Sequence, residues 1–118
     1  MKAANRYRLD MRDLRFVLFE QFKLGELLGK APYEAWGEEE VEGVVRESAR
    51  FAQEVLGPLN PVGDRQGCQL RDGRVTAPPG FKQAWDQVYE LGFKTLDVPV
   101  DHGGQGAPKA LQVVVEEL

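Results

Sequence analysis

Apolar residues recur at helical spacing in four stretches of the chain, separated by segments rich in glycine and proline. In the first, Leu14, Leu18 and Phe22 follow at intervals of four with Val17 and Phe19 beside them. This predicts a helix starting at Asp10 or Asp13, either of which can cap it. Phe16 to Phe19 is apolar on every side, and Leu24, Leu27 and Leu28 follow. A helix this apolar has to bury itself, either as an arm docked on a larger body or partner subunit, or as the first core helix of this domain. Residues 1–9 read as a loose start. Gly29 to Trp36 reads as a connector bounded by Gly37, with Trp36 plugging the neighbouring core. The second pattern is the clearest. Val41, Val44, Val45, Ser48, Ala52, Val55 and Leu56 share one face of a helix expected over 38–56. Glu38, Glu39 and Glu40 sit where the helix dipole favours negative charge. Glu42 and Arg46 are spaced for an i,i+4 pair, and Gly57-Pro58 reads as the stop.

Residues 57–80 are expected to form a long non-helical stretch. Within it, Asp72-Gly73 between Leu70 and Val75 signals a tight hairpin, and Asp64, Arg65, Arg71, Asp72 and Arg74 are candidates for a polar network. A third helix is expected from Pro79 to Leu91, with Phe81, Ala84, Trp85, Val88 and Leu91 as its stripe. Gly92 then suits the left-handed position past a helix, with Phe93 folding back on the last turn. Val98-Pro99 imposes extended backbone. Gly103, Gly104 and Gly106 allow positive φ or close approach. Pro108 opens a fourth helix with Leu111, Val114, Val115 and Leu118 on one face. Its pattern runs uncapped to Glu116-Glu117-Leu118, so the sequence is expected to be the front part of a longer protein. The fold class expected is all-α, a small helical domain with a long loop and a short hairpin. It divides into an arm and connector (1–37) and a helical domain (38–118) truncated at its C-terminal end.

Composition narrows this picture. A chain of 118 residues is one domain's worth, and 42% apolar with 29% charged residues argues for a folded rather than a disordered one. No apolar run approaches the roughly 20 residues that cross a bilayer. Lys2, Arg6 and Arg8 are not followed by the apolar region of a secretory signal. The single cysteine, Cys68, rules out an internal disulfide and fits a reducing compartment, so a cytoplasmic location is expected. A net charge of -4 argues against general nucleic-acid binding. The charge is uneven: residues 1–30 hold seven Lys/Arg against four Asp/Glu, and residues 31–60 seven Glu against two Arg. The two segments could dock on each other or on neighbouring subunits, or simply be solvated faces.

The motifs carry little chemistry of their own. Gly103-Gly104-Gln105-Gly106 before a helix invites a phosphate-loop reading. It lacks the Gly-Lys-Ser/Thr ending, and Lys109 stands where a dinucleotide fingerprint needs Gly or Ala, so a structural turn is the better account. His102 is the only histidine, without the nucleophile a triad needs or the companions a zinc site needs. Consecutive glutamates on a helix diverge, so Glu38 to Glu40 read as a capping cluster rather than a metal site. Cys68 lies in no motif of special reactivity. No catalytic, cofactor-binding or metal-binding residue is assigned from these patterns.

Pro78-Pro79-Gly80-Phe81, Leu91-Gly92-Phe93, Val98-Pro99 and Gly103-Gly104-Gln105-Gly106 together resemble the start of an acyl-CoA dehydrogenase. Pro58-Leu59-Asn60, Gly63-Asp64-Arg65, Gly67-Cys68, Asp72-Gly73-Arg74-Val75 and the arm from Asp13 to Glu20 resemble the long-form members of that family. The resemblance implies an N-terminal helical domain ahead of a middle β-domain and a C-terminal helical domain. It also implies FAD, an acyl-CoA substrate, an electron-transfer flavoprotein as electron acceptor, and a homo-oligomer. In the family the catalytic carboxylate, the flavin-binding passage and most of the helix lining the acyl tail fall beyond the position of Leu118. Glu116 and Glu117 therefore do not inherit the role of base, and the chain alone is expected to be non-catalytic and to hold no FAD. Two alternatives stand beside this. One is a free-standing helical protein-interaction module of the same ancestry. The other is a non-dehydrogenase relative linked to DNA-alkylation response, which the acidic balance does not support. Because the apolar faces of residues 13–28 and 108–118 would lack partners, the isolated chain is expected to self-associate, exchange elements or be marginally stable.

Overall fold

In the computed structural model, which describes residues 5–118, the first helix begins where the Asp10 carboxylate accepts the backbone N–H of Arg12 at 2.9 Å. This helix, α1 (Met11–Arg15), widens into a π-helical turn over Phe16–Gln21, the stretch that is apolar on every side. Lys23, in the left-handed conformation, ends it, and a 3-10 turn follows over Leu24–Glu26. Leu18, Leu24 and Leu28 are buried in one core with Trp36, Val41, Val45, Leu96, Leu111 and Val114. These three side chains therefore pack into the core of the domain itself. Phe16, Phe22 and Leu27 stay exposed. Residues 1–4, Lys2 among them, lie outside the described part.

The second helix, α2 (Glu38–Phe51), starts with the Glu40 carboxylate accepting the Gly37 N–H at 2.9 Å. The expected Glu42–Arg46 pair does not form; Glu42 instead bridges to Arg15 and ties α1 to α2. The expected stop at Gly57-Pro58 is also absent. A π-helical turn over Ala52–Leu56 leads directly into α3 (Gly57–Gln66), which ends at Gly67 with φ 59°. The reason lies in the hydrogen bonds. The Gly57 N–H donates to Ala52 in the wider π register, and Pro58 has no N–H to continue that register onto the Gln53 carbonyl. Asn5 Nδ2 donates to that carbonyl at 2.6 Å. Proline is thus placed at the first turn of a new helical segment, where it is tolerated, and residues 57–66 are helix rather than loop. The buried face of α2 also includes Ala49 and Phe51, while Leu56, expected on it, is exposed.

A short antiparallel hairpin follows, β1 (Gln69–Arg71) with β2 (Arg74–Thr76). Leu70 pairs with Val75, and Arg71 with Arg74. Asp72 and Gly73 have φ of 50° and 72°, the two left-handed positions of a two-residue hairpin turn. All six strand residues are exposed.

The last two helices are α4 (Phe81–Glu90) and α5 (Lys109–Glu117). Ala84 is the buried residue of α4. Its expected stripe is only partly covered: Leu91 is exposed, as is Trp85, which stacks edge-on against Tyr89 at 5.3 Å. Helix α5 packs on α2 and buries Leu111, Gln112 and Val114. The result is a flat body of 53 × 33 × 17 Å, mostly helical with one short hairpin. Among the described residues no helix is long and apolar enough to cross a membrane.

Candidate functional site

The passage between α4 and α5 is the most closely constrained part of the molecule. At the end of α4 the Phe93 N–H donates to Val88 at 3.1 Å and the Gly92 N–H to Tyr89 at 3.0 Å. This crossed pair, with Gly92 at φ 76°, is a Schellman cap. Phe93 folds inward and meets Phe51 edge-on, ring centres 5.8 Å apart. The chain then doubles back on itself. The N–H groups of Gln105, Gly106 and Ala107 donate to Thr95 (3.1 Å), Val98 (2.9 Å) and Leu96 (2.7 Å). Gly104 sits against the Val98 carbonyl, in space that a side chain would need. Its role is close backbone approach, while Gly103 (φ 83°) and Gly106 (φ 63°) supply the left-handed turns.

Three side chains lock this corner to the body. Trp36 Nε1 donates to the Gln105 carbonyl at 3.0 Å, and Gln105 Nε2 to the Gly92 carbonyl at 2.9 Å. The third is Gln112, only 1% exposed. Its Oε1 accepts the Leu96 N–H at 3.1 Å, and its Nε2 donates to the Phe93 carbonyl at 2.8 Å and to Glu116 at 3.2 Å. On the outer side Lys109 pairs with Asp97 at 2.7 Å. The hydrogen bond to Asp97, reinforced by that residue's charge, holds the ammonium pKa above its ordinary value.

Two grooves cross the body, one of them beside the corner. One, of about 580 Å³, lies between α2 and the corner, with Gly43 and Val44 in α2, Trp36, Leu91 and Phe93 as apolar lining, and Glu47 at its side. The other, of about 660 Å³, is lined by Tyr7, Leu56, Asn60, Asp64, Arg65 and Leu118. Burial first, and the negative charge of Glu117 second, raise the Tyr7 phenol pKa above its ordinary value.

The residues singled out as candidates for chemistry are not brought together. His102 sits exposed in a 3-10 turn and Cys68 is exposed beside the hairpin. The expected network of Asp64, Arg65, Arg71, Asp72 and Arg74 does not form: these are exposed side chains, and none belongs to an ion pair among the described residues. Asp64 and Arg65 lie on α3, while Arg71 faces Arg74 across the hairpin, a pair of like charges that cannot bridge. Glu116 is engaged by Gln112. Among the described residues no three potential ligands cluster to hold a metal, and no buried side-chain polar atom lacks a partner. The space beside Gly104 is filled by the chain's own Val98, so this glycine serves the close approach within the turn. Sequence reasoning missed Gln112, whose one signal was a polar residue between Leu111 and Val113 in an otherwise apolar run.

A small, mostly helical domain, organised on a glycine-dense corner between two helices, is the class of protein that this geometry defines. No family model matches the chain. Among curated proteins it is 30% identical over 112 residues to the 3-methylmercaptopropionyl-CoA dehydrogenase of Ruegeria pomeroyi, a match covering 95% of this chain and 19% of that protein. It is 29% identical over 95 residues to the butyryl-CoA dehydrogenase of Syntrophomonas wolfei, covering 77% of this chain and 16% of that one. The chain is therefore related in sequence to acyl-CoA dehydrogenases, and it spans less than a fifth of the length of these two relatives.

Proposed function

We propose that this chain is the N-terminal part of a FAD-dependent acyl-CoA dehydrogenase, which catalyses α,β-dehydrogenation of an acyl-CoA thioester. In this reading residues 1–37 form an arm and connector on the helical body of residues 38–118. The domain helps to wall the acyl-CoA cleft and to make oligomer contacts, and it does not react by itself. The observation that carries the reading is similarity over 95% of the chain to a protein named as an acyl-CoA dehydrogenase. The positions quoted above for the resemblance support it. Gly92 caps α4, Gly104 takes the close approach, and Gly103 and Gly106 take the left-handed turns.

Dehydrogenation between neighbouring carbons removes a proton and a hydride, so it needs a base and a two-electron acceptor. This reading assigns neither the base nor the flavin site to residues 1–118. Both belong, in this proposal, to the remainder of the enzyme, as does the contact with an electron-transfer flavoprotein. A cytoplasmic location accords with the single exposed thiol of Cys68.

The test is anaerobic addition of acyl-CoA to the flavoprotein isolated from its native source, read as bleaching of the flavin's visible absorbance, beside the 118-residue chain mixed with FAD. Bleaching by the native protein and no retained flavin on the short chain is the expected result. A native protein indifferent to acyl-CoA, or a short chain that itself retains reducible flavin, contradicts it.

A further inference from the structure

Glu40, Gly43, Val44 and Glu47 stand at i, i+3, i+4 and i+7 on α2, which is one face of the helix. All four line the groove of about 580 Å³ beside the corner. The glycine is the odd member. Glycine in a helix interior is destabilising relative to alanine, so its presence asks for a reason. The other two glycines within α-helices have one: a Cβ on Gly57 would strike Asn5, and a Cβ on Gly63 would strike Phe81. At Gly43 no atom from elsewhere in the described chain lies within 4 Å of that position. The helix backbone is left bare at the floor of the groove, with room for a group that the described chain does not supply.

The walls give the chemistry. Trp36, Val44, Leu91 and Phe93 make them apolar. Two of these rings are fixed in advance, Trp36 by its bond to the Gln105 carbonyl and Phe93 by its packing on Phe51. Little ordering is therefore needed on binding. The charge is of one sign: Glu40 and Glu47 line the groove, and no Lys, Arg or His joins them. Glu40 accepts the Gly37 N–H with one oxygen and belongs to no ion pair among the described residues. Glu47 pairs with Arg50, but Arg50 is shared with Glu54 at 3.9 Å, so this trio keeps a net negative charge. The volume falls within the roughly 300–1,000 Å³ usual for small-molecule sites.

We propose that this groove is a binding site for a small organic cation with an apolar body, an alkyl- or arylammonium. The body lies over Gly43 between the apolar walls, and the ammonium donates to the Glu40 carboxylate, with Glu47 adding to the field. The same two carboxylates repel an anion of equal shape. The site takes no part in the dehydrogenation proposed above and does not depend on it.

Isothermal titration of the 118-residue chain with phenethylammonium tests this, beside phenethyl alcohol and hydrocinnamate as neutral and anionic molecules of like shape. The ammonium should bind saturably with a Kd of about 1 mM or tighter. The alcohol should bind about threefold more weakly or worse, and the carboxylate not measurably. Glu40→Gln keeps an acceptor for the Gly37 N–H and removes the charge. It should weaken the ammonium about threefold and leave the alcohol unchanged. Gly43→Leu fills the floor. It should abolish binding of both molecules while raising the thermal midpoint, because leucine is the better helix former. Misfolding cannot produce that combination, and Gly43→Ala should give both effects in smaller measure. The proposal is overturned if the ammonium shows no saturable binding up to about 20 mM, if the alcohol binds as well as the ammonium, or if the Gly43 variants bind as the wild type does.

Discussion

Replacing Gln112 by leucine removes one side chain and leaves two buried backbone groups, the Leu96 N–H and the Phe93 carbonyl, without partners. Each such group costs about 1–3 kcal/mol, so Gln112→Leu should lower stability to urea by about 2–4 kcal/mol despite being the more apolar residue. Unchanged stability would show that the corner does not depend on this clamp. The glycines of the corner separate in the same way. Gly103→Ala meets open space and pays only for its left-handed backbone, about 1–2 kcal/mol. Gly104→Ala drives a methyl into the Val98 carbonyl and should cost about 3 kcal/mol or more. Equal costs would contradict that difference. Tyr7 gives a prediction in pH. Its folded pKa is raised, chiefly by burial, so its contribution to stability is full below the ordinary phenol value of about 10 and is lost as pH rises through the folded pKa. Ultraviolet titration should show this phenol ionising late, and Tyr7→Phe should remove the late step. The glycine pattern was legible in the sequence because a positive φ narrows the choice of residue. Gln112 was not, because a glutamine on a helix reads as solvent-facing until its partners are known.

At the scale of elements, the legible parts were those whose signal is local. The start of α2 at its glutamates, the Asp72-Gly73 turn of the hairpin and the cap at Gly92 are each decided by a few neighbouring residues. The continuation of α2 into α3 was not legible. Gly57-Pro58 ends most helices, and it fails to end this one because a π turn changes the register and Asn5, 48 positions away from Gln53, takes the carbonyl that is freed. A contact that distant in sequence leaves no periodic trace. Asn5→Ala should therefore cost about 1 kcal/mol, and it should speed amide hydrogen exchange around residues 53–58 more than in α5. Uniform exchange across both helices would mean that the junction does not need this bond. The exposed side of α4 was misjudged for a related reason: its stripe of Phe81, Trp85, Val88 and Leu91 is regular, but periodicity says which face is apolar and not whether anything covers it.

At the scale of the whole molecule, the described residues make one core to which α1, α2, the corner and α5 all contribute. Around it remain exposed apolar side chains at Phe16, Phe22 and Leu27, on the hairpin and on α4. No local pattern could have located these surfaces, since exposure depends on how the elements meet. Such a body suits a domain that is completed by neighbours, which is the sense of the acyl-CoA dehydrogenase proposal. The most direct measurement is the intact mass of the protein from its native source, with visible absorbance recorded on the same sample. The account predicts a yellow species several times heavier than 13.2 kDa, carrying this chain at its N-terminus. A colourless species of 13.2 kDa would contradict it.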